Sequence, residues 1–127
     1  IANRTPSRAL ELWGAVAAQA NVAACGVAEL AGRQFDLVIN ATSASLAGQA
    51  PTIPPGLYAP GSTAYDMMYG RGLTAFLASA QSQGASRLAD GLGMLVEQAA
   101  ESFLLWRGVR PDTRPVLADL AAELHGT

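Results

Sequence analysis

The run Asp36-Leu37-Val38-Ile39-Asn40-Ala41 constrains this chain more than any other stretch. A strand with one wet face alternates polar and apolar residues. Leu37-Val38-Ile39 does not alternate, which is the pattern of a parallel strand covered on both faces. Parallel strands need crossovers, and the flanking sequence supplies helices for them. Thr5 is placed to N-cap a helix and Pro6 suits its first position, where the N–H is unpaired anyway. Ala9, Leu12, Trp13 and Val16 recur at helical spacing, predicting a helix over 6–18. Ile1-Ala2 reads as the end of a strand, 22–27 as a short strand, and 42–60, with four prolines, as loop with one short helical turn. A strand follows over 62–67. The next helix, 73–83, carries Leu73, Phe76, Leu77 and Ala80 on one face and stops at Gly84. A short strand over 86–89 precedes a helix over 91–107 with Leu95, Ala99, Phe103 and Trp106 as its stripe. The last helix, 113–124, is predicted to bury Val116, Leu117, Leu120 and Leu124. Strands alternating with helices imply an α/β fold with a parallel sheet.

Composition then removes whole classes of chemistry. All eight cationic side chains are Arg and none is Lys, so Schiff-base chemistry, a phosphate-loop lysine and a lysine general base are excluded. A net charge of −2 argues against nucleic acid as a partner. Cys25 is the one cysteine and His125 the one histidine, too few for a metal site, and Cys25 reads as a small apolar filler. No stretch is long and apolar enough to suggest a membrane span, and no signal peptide is visible. The expectation is a cytoplasmic protein, and the lack of a leading Met hints at a piece of a longer one.

Open α/β sheets bind ligands outside the carboxyl ends of their strands, so four places matter. Asn3-Arg4-Thr5-Pro6-Ser7-Arg8 sets two arginines at the mouth of a helix, where a dinucleotide site for NAD usually has an acidic residue. Arginine is planar, permanently charged and matched to phosphate oxygens, so the pair reads as a 2′-phosphate clamp or as two surface cations. Asn40-Ala41-Thr42-Ser43 ends a strand in small polar residues that allow close approach of a flat ligand, with Asn40 able to bond the loop amides. Tyr65-Asp66-Met67-Met68-Tyr69 offers Met67 to a nicotinamide ring and the Tyr69 hydroxyl to a cleft, or is plain core. Asp90-Gly91-Leu92-Gly93 opens a helix on which Gln98 lies one turn beyond Met94.

In this order, the stretches resemble the C-terminal half of shikimate dehydrogenase. The matching residues are Asn-Arg-Thr at 3–5 with Arg8, Asp-Leu-Val-Ile-Asn-Ala-Thr-Ser at 36–43 and Tyr-Asp-Met-Met-Tyr at 65–69. They continue with 74–77, Asp-Gly-Leu-Gly-Met-Leu-Val at 90–96, and 98–108 with Phe-Leu-Leu-Trp. The resemblance implies a Rossmann-like three-layer parallel sheet, incomplete, over 1–93. It also implies C-terminal helices over 94–127 that return to a substrate domain. By that resemblance Asn3, Arg4, Thr5 and Arg8 hold the adenosine ribose and 2′-phosphate of NADP. Ala41, Thr42 and Ser43 line the dinucleotide groove, Met67 and Gly91 border the nicotinamide, and Tyr69 and Gln98 bond the substrate. The implied reaction is reversible hydride transfer between NADPH and 3-dehydroshikimate, giving shikimate, in aromatic amino acid biosynthesis. A quinate-oxidising relative and a non-catalytic dehydrogenase-like binding module are the competing readings.

The family's catalytic Lys–Asp pair, first cofactor-domain strand and Gly-rich loop would all precede Ile1. The resemblance therefore implies no catalytic residue in this chain, a sheet with a gap in its middle, and bare apolar faces on the last two helices.

Overall fold

The computed structural model describes residues 1–18, 21–44 and 48–125. The part of the predicted loop at 45–47 and the side chain of His125 lie outside them. In chain order the elements are β1 (Ala2–Asn3), α1 (Pro6–Val16), β2 (Cys25–Gly26), a short 3-10 turn (Val27–Leu30), β3 (Phe35–Asn40), β4 (Tyr58–Asp66), α2 (Ala75–Ser82), β5 (Arg87–Ala89), α3 (Leu92–Arg107) and α4 (Thr113–His125). All strand pairs are parallel, as the apolar run at 36–41 requires. They form two sheets: β1 with β2, and β3-β4-β5 with β4 central. No pairing joins β1 to β3 among the described residues. This is the expected gap.

The core lies where α2 covers the second sheet. Leu57, Tyr58, Ala64, Phe76, Leu77 and Ala80 are buried together, with Leu30, Phe35, Val38, Ile53 and Leu88 packed around them. Thr74 caps α2, accepting a hydrogen bond from the Leu77 amide at 3.2 Å. Gly108 ends α3 in the left-handed conformation, φ 72°, which only glycine adopts without strain.

Several expectations are corrected. β4 begins at Tyr58, inside the predicted loop: Pro60 and Gly61 look like loop residues but sit at a register shift between β3 and β4, where Gly61 takes φ 80°. The strand over 22–27 shrinks to two residues, because the Glu29 carboxylate accepts from the Gly26 amide at 2.7 Å and turns the chain into a 3-10 segment. Thr5 occupies the N-cap of α1 without a side-chain cap bond, since the Arg8 amide donates to the Thr5 carbonyl instead. β3 is covered on one face only: Val38 packs on the core, but Leu37 and Ile39 are 53% and 55% exposed at the sheet's open edge. Cys25 is half-buried. Leu12, Trp13 and Val16 of α1 and Leu73 before α2 are exposed, and of the first set only Ala9 is buried.

The stripe of α3 is rotated from the expected one. Leu92, Val96 and Ala100 are its buried residues, while Phe103 and Trp106 are exposed, Trp106 at 79%. Leu95, Ala99 and Phe103 instead border an apolar cavity of about 360 Å³ between α3 and α4, with Val116 and Leu120 opposite. Val116, expected inside, is exposed, as are Leu105 and Val109. An apolar face is therefore bare on this helix pair, as expected.

A polar clasp holds α3 to α4. The Glu97 carboxylate accepts from Thr113 Oγ1 and from Arg110 Nη2, both at 2.7 Å, and Arg110 also pairs with Glu101. The Thr113 and then the Arg110 hydrogen bonds hold the Glu97 carboxyl below the usual glutamate range. A folded pKa below the unfolded one adds stability above the ordinary value and loses it as pH falls through the depressed one. The pair is solvent-exposed, so Glu97→Gln should leave stability at neutral pH nearly unchanged. NMR titration should show Glu97 protonating below the reference range, with the Arg110 and Thr113 signals moving with it.

Candidate functional site

Each parallel strand delivers a polar residue at its carboxyl end: Asn3 from β1, Asn40 from β3, Asp66 from β4, and Asp90 just after β5. At the first of these, the Asn3 side-chain oxygen accepts from the Thr5 amide at 2.9 Å and fixes the turn into α1. Arg4 and Arg8 are exposed beside that turn, and neither pairs with a carboxylate among the described residues. The first turn of α1 has no acidic residue. Two uncompensated guanidinium groups beside a helix N-terminus suit a dianionic phosphate.

At the other strand ends a continuous hydrogen-bonded net forms. The Asn40 side-chain oxygen accepts from the Thr42 amide at 3.1 Å and the Thr42 hydroxyl at 2.8 Å, the loop-tying role its position predicts. Its amide nitrogen donates to Asp66 Oδ1 at 3.1 Å. The same carboxylate accepts from the Met68 amide at 3.1 Å and, through Oδ2, from the Thr74 hydroxyl at 2.6 Å. The Met67 amide continues the β3–β4 ladder to the Asn40 carbonyl, and the Gly91 amide donates to the Met68 carbonyl at 3.0 Å. Asp90 Oδ1 accepts from the Leu92 amide and caps the first turn of α3.

Gly91 is buried with its α-carbon against the peptide of Met67, so that a Cβ there would land on the Met67 carbonyl. This close approach is what lets the loop after β4 meet the start of α3. Met67 and Gly91, singled out separately in the sequence, are thus one contact. Ala41, Thr42 and Ser43 are exposed along the loop above them. Tyr69 and Gln98 are also exposed, and among the described residues neither side chain takes a hydrogen-bond partner. Nothing ties the Arg4–Arg8 turn directly to the Asn40–Gly91 net.

Asp66 and Thr74 are the residues the sequence reading passed over. Asp66 is fully buried at the end of a strand otherwise made of small and aromatic residues, and a lone carboxylate in such a setting signals a built hydrogen-bond site. No cluster of three or more His, Cys, Asp or Glu that could hold a metal occurs among the described residues, and no helix there is long and apolar enough to cross a membrane.

Residues 91–120 match the family model of the shikimate 5′-dehydrogenase C-terminal domain. Over 99% of its length the chain is 63% identical to the protein of Aromatoleum aromaticum named shikimate dehydrogenase (NADP(+)). It is 60% identical over 98% of its length to the protein of that name from Nitrosospira multiformis. The chain matches the C-terminal part of NADP-dependent shikimate dehydrogenases. It spans 46% and 45% of the lengths of those two relatives. The fold agrees with the shikimate 5-dehydrogenase of Thermus thermophilus, solved in complex with shikimate: 31% identity and a TM-score of 0.74, covering 99% of this chain and 44% of that one. The strand-end net therefore lies in the part of the shikimate dehydrogenase fold that this chain supplies.

Proposed function

We propose that this chain forms the cofactor side of an NADP-dependent shikimate dehydrogenase, which reduces 3-dehydroshikimate to shikimate. Residues 1–93 act as a partial dinucleotide-binding unit, and 94–127 as helices that pack against a substrate domain elsewhere in a cytoplasmic protein. Asn3, Arg4, Thr5 and Arg8 hold the ribose and 2′-phosphate, and Ala41, Thr42 and Ser43 line the groove. Met67 and Gly91 border the nicotinamide, while Tyr69 and Gln98 donate to or accept from the substrate. NADPH, when bound, supplies the hydride. The residues here bind and orient, and none of them handles the reacting proton, since the chain has no lysine.

The observation that carries the reading is the Arg4–Arg8 pair, exposed without a carboxylate partner beside the end of β1. A cofactor with a 2′-phosphate gives that charge a partner; one without it does not. The full-length product of the gene encoding this chain should oxidise shikimate with NADP⁺ in preference to NAD⁺, followed by absorbance of the reduced nicotinamide. This chain expressed alone should show no turnover and little NADPH binding. Turnover by the isolated chain, or equal use of the two cofactors by the full-length protein, would overturn the reading.

A further inference from the structure

Three segments that border the proposed cofactor groove meet at one buried side chain. Asp66 has no solvent exposure, and Asn40, beside it, is buried as well. Through Asn40 the carboxylate reaches the 41–43 loop, because the other end of the Asn40 carboxamide holds both the amide and the hydroxyl of Thr42. Through the Met68 amide it fixes the turn after β4, and the Met68 carbonyl in turn holds the Gly91 amide at the start of α3. Through Thr74 it reaches the cap of α2, whose hydroxyl donates to Asp66 while accepting from Leu77. Loop, turn and helix start come from three different strand-to-helix connections. Apart from the ladder bond of Met67 to Asn40, these side-chain and turn contacts are what join them.

We propose that Asp66 is a positioning residue for hydride transfer. It touches neither cofactor nor substrate, but sets the spacing between the 41–43 loop, Met67 and Gly91, with Thr74 as its second anchor. This rests on the function proposed above. A carboxylate suits the position because two oxygens accept from three donors, an amide side chain, a backbone amide and a hydroxyl, without offering a competing proton. Asparagine has the same shape but puts an N–H₂ toward Thr74, whose hydroxyl must then accept rather than donate while still capping Leu77. The chain would still fold, with the groove's spacing relaxed. Misplacement of reacting groups by about an ångström costs roughly a hundredfold in rate.

The test uses the full-length gene product and the variants Asp66→Asn, Thr74→Val and Thr74→Ser. In Asp66→Asn, kcat for shikimate oxidation should fall about a hundredfold while the KM for shikimate changes less than about threefold. Deuterium substitution at the transferring carbon should slow the variant more than the wild type, because hydride transfer has become limiting. Thr74→Val should reproduce the direction of the loss, and Thr74→Ser, which keeps the hydroxyl, should restore it. Amide hydrogen exchange without cofactor gives a reading independent of turnover: Met68 and Gly91 should exchange faster in Asp66→Asn, with the β3–β4 ladder unchanged. Wild-type kcat together with unchanged exchange in Asp66→Asn would overturn the proposal. So would a Thr74→Val protein that melts earlier yet turns over normally, since that is a purely structural role. If the wild type itself fails to oxidise shikimate, the functional reading falls, and the exchange experiment still decides whether Asp66 sets the loop and the helix start.

Discussion

Replacing Arg4 and Arg8 together by alanine should raise the Kd of the full-length protein for NADPH about a hundredfold and leave its weak affinity for NADH unchanged. A hydrogen bond to a charged group contributes about 1.5–3 kcal/mol net. Both guanidinium groups are exposed, so the lower end applies, and two such contacts give about 3 kcal/mol, or roughly two decades of affinity. The loss should be specific, because the 2′-phosphate is the only group by which the cofactors differ. It should also shrink as ionic strength rises, since salt screens exposed charges within about 10 Å at 0.1 M. Nothing near the pair compensates for its removal: neither arginine bonds a carboxylate, and the turn they flank is held by Asn3 and the Thr5 amide. Fluorescence titration with both reduced cofactors at two salt concentrations checks this. Equal losses for NADPH and NADH would mean that the arginines shape the turn rather than read the phosphate.

What the sequence disclosed depended on how local the cause was. Pro6, Gly108 and the apolar run at 37–39 act within a few residues, so α1, the end of α3 and the parallel character of β3 could be read directly. The Asn40–Thr42 turn was legible for the same reason: its partners are two residues apart. The start of β4 was not. Pro60 and Gly61 have loop chemistry, and only pairing with β3 and the contacts of Gly61 to Ser86 and Arg87 keep that stretch in the sheet. Burial was the least legible property. Leu37, Ile39, Phe103 and Trp106 have the residue types of a covered face but are exposed, because a stripe states what needs covering and not whether a neighbour is present. Asp66 escaped for a related reason. Its partners Asn40 and Thr74 are 26 and 8 residues away, and only the fold brings them together. The functional residues at strand ends were found through the general rule for open α/β sheets; the residue that joins them needed coordinates.

The largest stability effect is expected at Gly91, and its neighbour Gly93 supplies the control. Gly91 has φ −79° and ψ 0°, angles an alanine adopts freely, so its backbone gives no reason for glycine. The contact does. A Cβ there would meet the Met67 carbonyl carbon at 2.7 Å and crowd its oxygen closer still, and both atoms are backbone held by the β3–β4 ladder and by Asp66. No flexible side chain can give way, so either the loop after β4 or the start of α3 must move. Overpacking of this kind costs about 3 kcal/mol, which lowers Tm by roughly 10 °C in a protein of the relatives' length. Gly93 is one residue inside α3 with nothing within 4 Å of its would-be Cβ. Alanine there removes conformational freedom from the unfolded chain and should stabilise by about 0.4–1 kcal/mol. Thermal unfolding of the two full-length variants should therefore shift in opposite directions. The moved Met67 also predicts loss of NADPH affinity in Gly91→Ala, whereas Gly93→Ala should bind normally. If Gly91→Ala melts within a degree or two of the wild type, the loop after β4 is free to retreat from α3. The junction of Met67 and Gly91 would then not be the fixed wall against which a flat ring can rest.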